Sequence, residues 1–349
     1  MRHFILSLNL FCIAIAVNGQ GFESRSMNFD GNLRTYEIYI PSSYDGSESL
    51  PLVFNFHGGN GSSTDAINIS QMHLLSDTAN FLVVYPQALQ DPNDGNSTNW
   101  LHKDPTNHDD VMFIDALISD LSNNYNIDLS RVYACGYSLG GEFTFELGCR
   151  LNNKIAAFGV VARTMQQFQY DNCTPVHPTG VITVLGTADI TSNYNGVSFA
   201  GIQYYVSAEQ THQFWADFNN TDVSPITTPI QDASPNDGST VDRRSWLNGD
   251  SCVEVRELRV NNGGHDWPGS FGNQDIDASA EIWKFVSQYD LNGKMSCGGT
   301  VNVIDHQRIN HQSLDLLGVF NLLGQEVDRT FKGIKVLVYE NGDVKLLAD

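Results

Sequence analysis

Residues 131–141 have the sequence Arg-Val-Tyr-Ala-Cys-Gly-Tyr-Ser-Leu-Gly-Gly. The first half is β-branched and aromatic, as a buried strand is. The apolar residues behind it recur at helical spacing, at Phe143, Leu147 and Leu151. Ser138 stands between Gly136 and Gly140, so a G-x-S-x-G pattern lies where the strand turns into the helix. Without this context the pattern more often marks a loop than a nucleophile. With it, we predict a nucleophile elbow, in which Ser138 is the nucleophile.

The composition describes a globular chain with an acidic surface. The 349 residues include 19 basic and 40 acidic side chains, which gives a net charge of −21. This length fits one large α/β domain with a small appendage. A surface of this charge repels phosphate backbones and anionic membranes, so we exclude nucleic acid as a partner.

The first residues have the pattern of a signal peptide. Arg2 and His3 precede an almost unbroken apolar run over residues 4–17, which is too short to span a bilayer comfortably. We therefore predict that residues 1–19 are a secretory signal peptide. The mature protein is then extracellular or at the cell surface, with no membrane span.

Removing residues 1–19 leaves five cysteines, an odd number for an oxidising compartment. Cys135 lies on the strand before the elbow, where a small apolar thiol packs well, so we expect it to be free. We predict two disulfides, Cys149–Cys173 and Cys252–Cys297.

Strand and helix patterns alternate through the middle of the chain. Strand patterns cover residues 33–40, 52–56, 81–85, 155–161, 181–185, 241–246 and 252–260. Helix patterns cover residues 109–121, 208–218 and 276–289. Polar loops are expected at residues 87–106 and 219–239. This alternation predicts an α/β fold with a mostly parallel central sheet and helices on both faces.

Two polar residues that follow predicted strands complete a candidate triad. Asp189 ends the sequence Gly-Thr-Ala-Asp after one strand, where the alternative is an aspartate that caps a turn. His265 lies in a glycine-rich loop after the last strand, and an imidazole can take the serine proton and return it. The order Ser138, Asp189, His265 is that of α/β-hydrolases.

Residues 20–298 are predicted to form one esterase domain, which from about residue 32 to residue 298 resembles the secreted esterase family that contains polyhydroxybutyrate depolymerases, feruloyl esterases and acetylxylan esterases. The segments that carry the resemblance are residues 35–41, 57–59, 110–121, 130–133, 136–141, 186–189 and 264–269. The resemblance implies an α/β-hydrolase fold with Ser138 as nucleophile, Asp189 as acid and His265 as base. It also implies oxyanion donors at the amides of Leu139 and Gly59, and no metal or organic cofactor.

The glycine turn at residues 57–61 and two tryptophans are the candidates for substrate contact. The turn follows a strand, and its alternative is a merely flexible loop. We predict that His57, Trp100 and Trp267 face the substrate. Core packing is the alternative for Trp100, because an aromatic on a loop can serve either purpose.

Residues 299–349 differ in character from the rest of the chain. Their apolar runs at 316–323 and 333–339 resemble the end of the C-terminal sorting domain of the type IX secretion route. This resemblance implies the type IX machinery as a partner. By composition the segment is a small β-rich appendage with a hairpin around Asn341 and Gly342.

These observations predict a secreted serine esterase that removes feruloyl or acetyl groups from xylan-type cell-wall polysaccharide. The partner is then an ester-bearing polysaccharide or oligosaccharide. One alternative is a depolymerase of polyhydroxybutyrate oligomers, with a short polyester as its partner. Gly59 stands where several polyester depolymerases have cysteine, which favours the cell-wall esterase. The second alternative is a non-catalytic surface protein that binds carbohydrate on a hydrolase scaffold.

Overall fold

The computed structural model describes residues 20–92, 95–100, 109–297, 316–321, 334–339 and 344–348. The chain divides into two compact units between Met295 and Ser296. The predicted signal peptide, residues 1–19, lies outside the described residues.

The first unit contains both strands and helices. Its strands are β1 (Gly21–Phe29), β2 (Asn32–Ile40), β3 (Leu50–Phe56), β4 (Leu82–Pro86), β5 (Gln90–Asp91), β6 (Ser97–Thr98), β7 (Ile127–Tyr137), β8 (Ala157–Val161), β9 (Gly180–Gly186), β10 (Val197–Phe199), β11 (Ile202–Tyr205), β12 (Ile226–Pro229), β13 (Thr240–Trp246), β14 (Val255–Asn261), β15 (Tyr289–Asp290) and β16 (Gly293–Lys294). Its helices are α1 (Ser63–Ser70), α2 (Met72–Ala79), α3 (Asp110–Asn124), α4 (Leu139–Arg150), α5 (Gln167–Asn172), α6 (Ala208–Phe218) and α7 (Ala278–Val286).

Ten of these strands form one sheet, in the order β1-β2-β4-β3-β7-β8-β9-β14-β13-β12. The six central strands, β4 to β14 in this order, run parallel to one another. The two strands at each edge pair antiparallel. Because parallel strands end at the same edge of a sheet, the loops after β3, β7, β9 and β14 gather at one edge. The predicted α/β-hydrolase architecture is confirmed.

The two faces of the sheet carry two separate apolar cores. Side chains alternate along the strands, so Phe54 and Val132 join one core while Val53 and Tyr133 join the other. Residues of α3, α4 and α6 cover the first core, and residues of α1, α2 and α7 cover the second. The predicted helices on both faces are therefore present.

The cysteines follow the predicted pattern as far as the structure describes them. Cys149 and Cys173 form a disulfide. Cys252 and Cys297 are both disulfide-bonded, while their pairing with each other stays a prediction. Cys135 is free and buried, and burial raises the pKa of its thiol.

The second unit contains a three-stranded antiparallel sheet. Its strands are β17 (Leu316–Asn321), β18 (Ile334–Tyr339) and β19 (Val344–Ala348), with β18 in the middle. The predicted turn at Asn341 and Gly342 lies outside the described residues, although the two strands that flank it pair as a hairpin would. The predicted sorting role of this unit stays a prediction.

A search of the described residues for a helix that is long and apolar enough to cross a membrane finds none.

Candidate active site

Ser138 lies at the junction between β7 and α4, in a backbone conformation that few L-residues adopt. Its φ is 53° and its ψ is −120°. The Ser138 amide donates a hydrogen bond of 3.0 Å to the carbonyl of Val161 at the end of β8. The backbone at this junction therefore turns sharply while it stays bonded to the sheet.

The glycines on either side of Ser138 permit this turn because strand and helix approach too closely for a side chain. A Cβ on Gly136 would lie 2.3 Å from the carbonyl oxygen of Gly140. A Cβ on Gly140 would lie 2.3 Å from the carbonyl oxygen of Phe56 and 2.5 Å from that of His57. The missing side chains of these glycines therefore allow the close packing of strand and helix at this turn.

The three residues predicted to form a triad meet in the structure. The Ser138 hydroxyl donates to Nε2 of His265 over 2.9 Å. Nδ1 of the same imidazole donates to Oδ2 of Asp189 over 2.7 Å. The Ser138 and Asp189 side chains are buried and the imidazole is half-buried. This is the connectivity of a nucleophile, a base and an acid that orients the base.

The Asp189 carboxylate is held in its charged form by its partners. Its Oδ1 accepts hydrogen bonds from the amides of Thr191 (2.8 Å) and Ser192 (2.7 Å). Burial by itself would raise the pKa of Asp189, but the bonds from His265, Ser192 and Thr191 outweigh burial and hold this pKa below its ordinary value. The carboxylate therefore stays charged, as an orienting acid requires.

The loops that carry Asp189 and His265 are bonded to each other at their bases. The Ala188 amide donates to the carbonyl of Gly263 over 2.9 Å, and the Asn262 amide donates to Oγ1 of Thr187 over 2.9 Å. A Cβ on Gly186 would lie 2.3 Å from the carbonyl oxygen of Gly264. The close contact of these two loops fixes the separation of Asp189 and His265.

The glycine turn after β3 packs directly on the elbow. A Cβ on Gly58 would lie 3.4 Å from Cβ of Ser138, and one on Gly59 would lie 2.5 Å from Cδ1 of Leu139. Among the described residues, neither the Gly59 amide nor the Leu139 amide donates to a protein acceptor. The two amides that the resemblance assigned to the oxyanion hole therefore lie on neighbouring segments and remain available.

His57 is a buried support of this turn. Its Nδ1 donates to the carbonyl of Gly58 over 2.7 Å, and its Nε2 accepts from the amide of Ala88 over 3.1 Å. Burial lowers the pKa of His57, which keeps the ring neutral. With 1% of the residue exposed, His57 can act on a substrate only through the turn that it holds.

The two predicted substrate-facing tryptophans lie in the core. Each is 1% exposed. The indole N–H of Trp100 donates to the carbonyl of His57 over 2.9 Å, and its ring stacks on Phe143 at 4.8 Å between centroids. The indole N–H of Trp267 donates to Oγ of Ser279 over 3.1 Å. This packing favours the alternative of a core residue for Trp100, and it leaves Trp267 almost no surface for a substrate.

Tyr137 supports the base, a role that the sequence analysis did not assign to it. Its hydroxyl donates to the carbonyl of His265 over 2.6 Å, and its ring lies 5.1 Å from the imidazole between centroids. The sequence could have predicted that Tyr137 lies at the site, because Tyr137 precedes Ser138 in the G-x-S-x-G pattern.

The sequence analysis also missed a buried ion pair near Ser138. Nη2 and Nε of Arg163 donate to Oε2 of Glu142 over 2.6 and 3.1 Å. The hydroxyl of Tyr205 donates to the same oxygen over 2.7 Å. Glu142 lies in the first turn of α4, where an acidic residue is expected for the helix dipole alone. The local sequence therefore does not predict that Glu142 has buried partners.

Within the part of the chain that the structure describes, no group of three or more His, Cys, Asp or Glu side chains is placed to hold a metal ion.

Comparison with known proteins agrees with this geometry. Residues 34–168 match a family model described as "Esterase PHB depolymerase". A bifunctional acetylxylan esterase/xylanase from Neocallimastix patriciarum is 27% identical over 76% of the chain, and feruloyl esterase B from Piromyces equi is 26% identical over 73%. The chain spans only 35% and 45% of the lengths of these two relatives. Feruloyl esterase D from Neurospora crassa is 24% identical over 78% of the chain and 87% of its own length.

Solved structures share the fold at low sequence identity. An acetyl xylan esterase from Aspergillus awamori has a TM-score of 0.54 at 14% identity, over 76% of this chain and 99% of its own. The protein pOPH, solved in complex with DMSO, has a TM-score of 0.51 at 16% identity, over 82% of this chain and 91% of its own. The chain thus has α/β-hydrolase structural neighbours and distant homology to feruloyl and acetylxylan esterases.

Proposed function

We propose that this carboxylic ester hydrolase, an esterase of the PHB depolymerase and feruloyl esterase type, removes feruloyl or acetyl groups from cell-wall polysaccharide outside the cell. The observation that carries the proposal is the continuous line of hydrogen bonds from Ser138 through His265 to Asp189. We derive the reaction from this line.

In the first half-reaction the Ser138 hydroxyl attacks the ester carbonyl. As the new C–O bond forms, Nε2 of His265 takes the hydroxyl proton. Asp189, which accepts from Nδ1, stabilises the imidazolium. The carbonyl oxygen becomes an oxyanion, which the free amides of Leu139 and Gly59 can bind. One such donor contributes about 2.7–4 kcal/mol to transition-state stabilisation in enzymes where it has been removed.

The tetrahedral intermediate then releases the sugar alcohol. His265 returns the proton to the leaving oxygen while the C–O bond to the sugar breaks, which leaves the acyl group on Ser138. A water molecule enters, gives its proton to His265 and attacks the acyl carbonyl. Collapse of the second intermediate frees the acid and restores the Ser138 hydroxyl.

Two observations support a neutral polysaccharide ester as substrate. The relatives named above include an acetylxylan esterase and feruloyl esterases. The net charge of −21 disfavours anionic polymers. A polyhydroxybutyrate oligomer is the second candidate, because the matching family model is named for that depolymerase.

The proposed location outside the cell rests on the cysteines and on residues 1–19. Disulfides such as Cys149–Cys173 persist in oxidising compartments and are rare in the cytosol. The charged start and apolar run of residues 1–19 fit a signal for export. Cleavage of the secreted protein near residue 19, measured by N-terminal sequencing, is the expected result.

The test is hydrolysis of a matched panel by wild type and by Ser138→Ala. The panel holds methyl ferulate, acetylated xylan, a soluble hydroxybutyrate oligomer and p-nitrophenyl acetate. We expect turnover led by ferulate or xylan acetate, with kcat in Ser138→Ala lower by about 10⁶-fold, the scale seen when a serine nucleophile is removed. Ser119→Ala, which changes an exposed serine on α3, is the control and should match wild type.

The other outcomes of this panel would contradict the mechanism, the substrate or the catalytic function. Full activity in Ser138→Ala would contradict the mechanism. Preference for the hydroxybutyrate oligomer would replace the substrate with the polyester. No turnover of any ester by folded wild type would indicate a non-catalytic protein on a hydrolase scaffold.

A further inference from the structure

A short hairpin follows the loop that carries Asp189. Strands β10 and β11 pair antiparallel, with Phe199 opposite Ile202. The two residues between them, Ala200 and Gly201, have φ values of 51° and 80°. Positive φ at both central residues is the property of the type I′ turn, whose twist matches that of the paired strands. The hairpin is therefore a regular element, even though an alanine occupies a position that favours glycine.

One face of this hairpin is apolar and open to solvent. Phe199 is 74% exposed, Ile202 is 59% exposed and Tyr204 is 45% exposed. Because side chains alternate along a strand and face their cross-strand partners, these three residues share one face. Exposing contiguous apolar surface in this way usually marks an interaction site.

The opposite face anchors the hairpin beside the nucleophile. The Tyr205 hydroxyl donates to Oε2 of the buried Glu142 over 2.7 Å. Glu142 lies four residues after Ser138 on the same helix. The Val206 amide also donates to the carbonyl of Met165 over 3.1 Å, just beyond the end of β8. Both anchors lie at the edge of the sheet where Ser138 is held.

The composition of the hairpin and the residues around it limits what this part of the chain can bind. Residues 190–208 contain no charged side chain, in a chain with 59 acidic and basic residues. Instead they contain tyrosine, serine, threonine, asparagine and glycine. Tyrosine supplies rigid contact area at low entropic cost, and the small polar residues supply adaptable hydrogen bonds. A neutral surface that combines rings with hydrogen-bonding groups suits a neutral, hydroxyl-rich ligand.

We propose that the exposed face of the hairpin, formed by Phe199, Ile202 and Tyr204, binds the neutral polysaccharide chain to which the ester is attached. The aromatic rings would pack on the apolar faces of sugar rings, and hydroxyl groups of the sugars would bond to the polar residues nearby. This proposal rests on the proposed function, since it names the part of the substrate beyond the acyl group. It makes the hairpin a determinant of specificity for polymer over small esters.

The test compares a polymer with a small ester. In the variant Phe199→Ser, Ile202→Ser, Tyr204→Ser, we expect the ratio of kcat/KM on acetylated xylan to kcat/KM on p-nitrophenyl acetate to fall about tenfold, through a higher KM for xylan. The control replaces three exposed apolar residues elsewhere, Leu33→Ser, Leu74→Ser and Val176→Ser. These are 62%, 58% and 73% exposed, and their variant should keep the wild-type ratio.

A binding measurement separates this proposal from the proposed function. Affinity electrophoresis through deacetylated xylan needs no turnover, and it uses the Ser138→Ala protein with and without the three hairpin substitutions. Retardation that disappears with the hairpin substitutions supports the proposal even if no ester on the panel is hydrolysed. Equal retardation of both proteins, or none for either, would overturn it. A wild-type dimer that the hairpin substitutions convert to a monomer would also overturn it, because the face would then be covered by a second copy.

Discussion

Ser138 is held in a conformation that costs free energy, and its neighbours hold it there. A non-glycine residue in a sparsely populated region of φ and ψ costs about 1–3 kcal/mol. The compensation comes from the close contact of β3, β7 and α4, which is possible because Gly136 and Gly140 lack side chains. The stability of the elbow is thus tied to glycines that touch no substrate.

We expect Gly140→Ala to destabilise the protein by about 3 kcal/mol or more, because its Cβ would overlap two backbone carbonyls. Gly31→Ala is the matched control. Gly31 has a φ of +75° with nothing within 4 Å of an added Cβ, so its cost is only that of the left-handed conformation, about 1–2 kcal/mol. Urea unfolding curves measure both. A cost for Gly140→Ala no greater than that for Gly31→Ala would contradict the account of the elbow.

The sequence identified the triad residues better than the residues around them. Ser138, Asp189 and His265 each follow a predicted strand, and strand ends at one sheet edge must converge. Trp100 lacks such a constraint. His57 and Trp267 do follow strands, but the end of a strand places the loop and does not set the direction of its side chains. A large aromatic on a glycine-rich loop has the same local pattern whether it faces solvent or the core, so only the packed structure shows that both indoles are buried.

The disulfide between Cys149 and Cys173 joins the end of α4 to the end of α5. Hydrogen bonds also link these helices, since Nε2 of Gln169 donates to the carbonyl of Glu142 over 2.9 Å and to Oε2 of Glu146 over 3.1 Å. The disulfide closes a segment with a sequence separation of 24. Its effect is to limit how far the segments that form α4 and α5 can separate in the unfolded chain.

Removing this bond with Cys149→Ser and Cys173→Ser together should lower the free energy of unfolding by about 3.5 kcal/mol, from the loop-closure entropy of a segment of this length. Either single substitution should cost about as much as both, since either one breaks the bond. Urea unfolding of the three variants measures this. Costs of the single variants that add up to the cost of the double variant would indicate that packing of the two side chains, and not the bond, stabilises the protein.

The elements that sequence patterns predicted are strands of the main sheet and helices that pack on it. Helix α6 has the predicted bounds, and β3, β9 and β13 differ from prediction by one or two residues at an end. The edge strands β1 and β12 and the hairpin β10–β11 were not predicted. Their residues are mostly exposed or half-buried, so no alternation of apolar and polar residues marks them. Each of them pairs with the strand next to it in the chain. They are therefore specified by that pairing and by the turn that joins the two strands.

At the scale of the whole molecule, the stability of the folded state depends on many tyrosine hydroxyls remaining protonated. Among the residues that the structure describes, burial raises the pKa of eight tyrosines above the ordinary value of 10.0: Tyr36, Tyr85, Tyr125, Tyr133, Tyr137, Tyr194, Tyr205 and Tyr289. For Tyr36, Tyr125, Tyr133 and Tyr137 the pKa rises to about 12. The folded state therefore holds these protons more tightly than the unfolded state does.

The folded protein therefore loses stability at high pH. Stability from these phenols is fully present below the unfolded pKa of 10.0 and is lost as the pH rises from there through the folded pKa of about 12. We expect tyrosinate absorbance to rise together with the loss of the far-ultraviolet circular dichroism signal, in one cooperative transition. A smooth titration of nearly all tyrosines near pH 10, with the circular dichroism unchanged, would contradict this.

The hydrogen bonds of the triad join residues that are 127 and 76 positions apart in the chain. They depend on β7, β9 and β14 taking their places in one parallel sheet, an arrangement of long-range contacts that forms slowly. A growing or partly folded chain would present the serine long before the base arrives. Under the proposed mechanism, the chain would thus not hydrolyse esters inside the producing cell until folding is complete. In refolding experiments, the return of activity would mark the last step of sheet assembly.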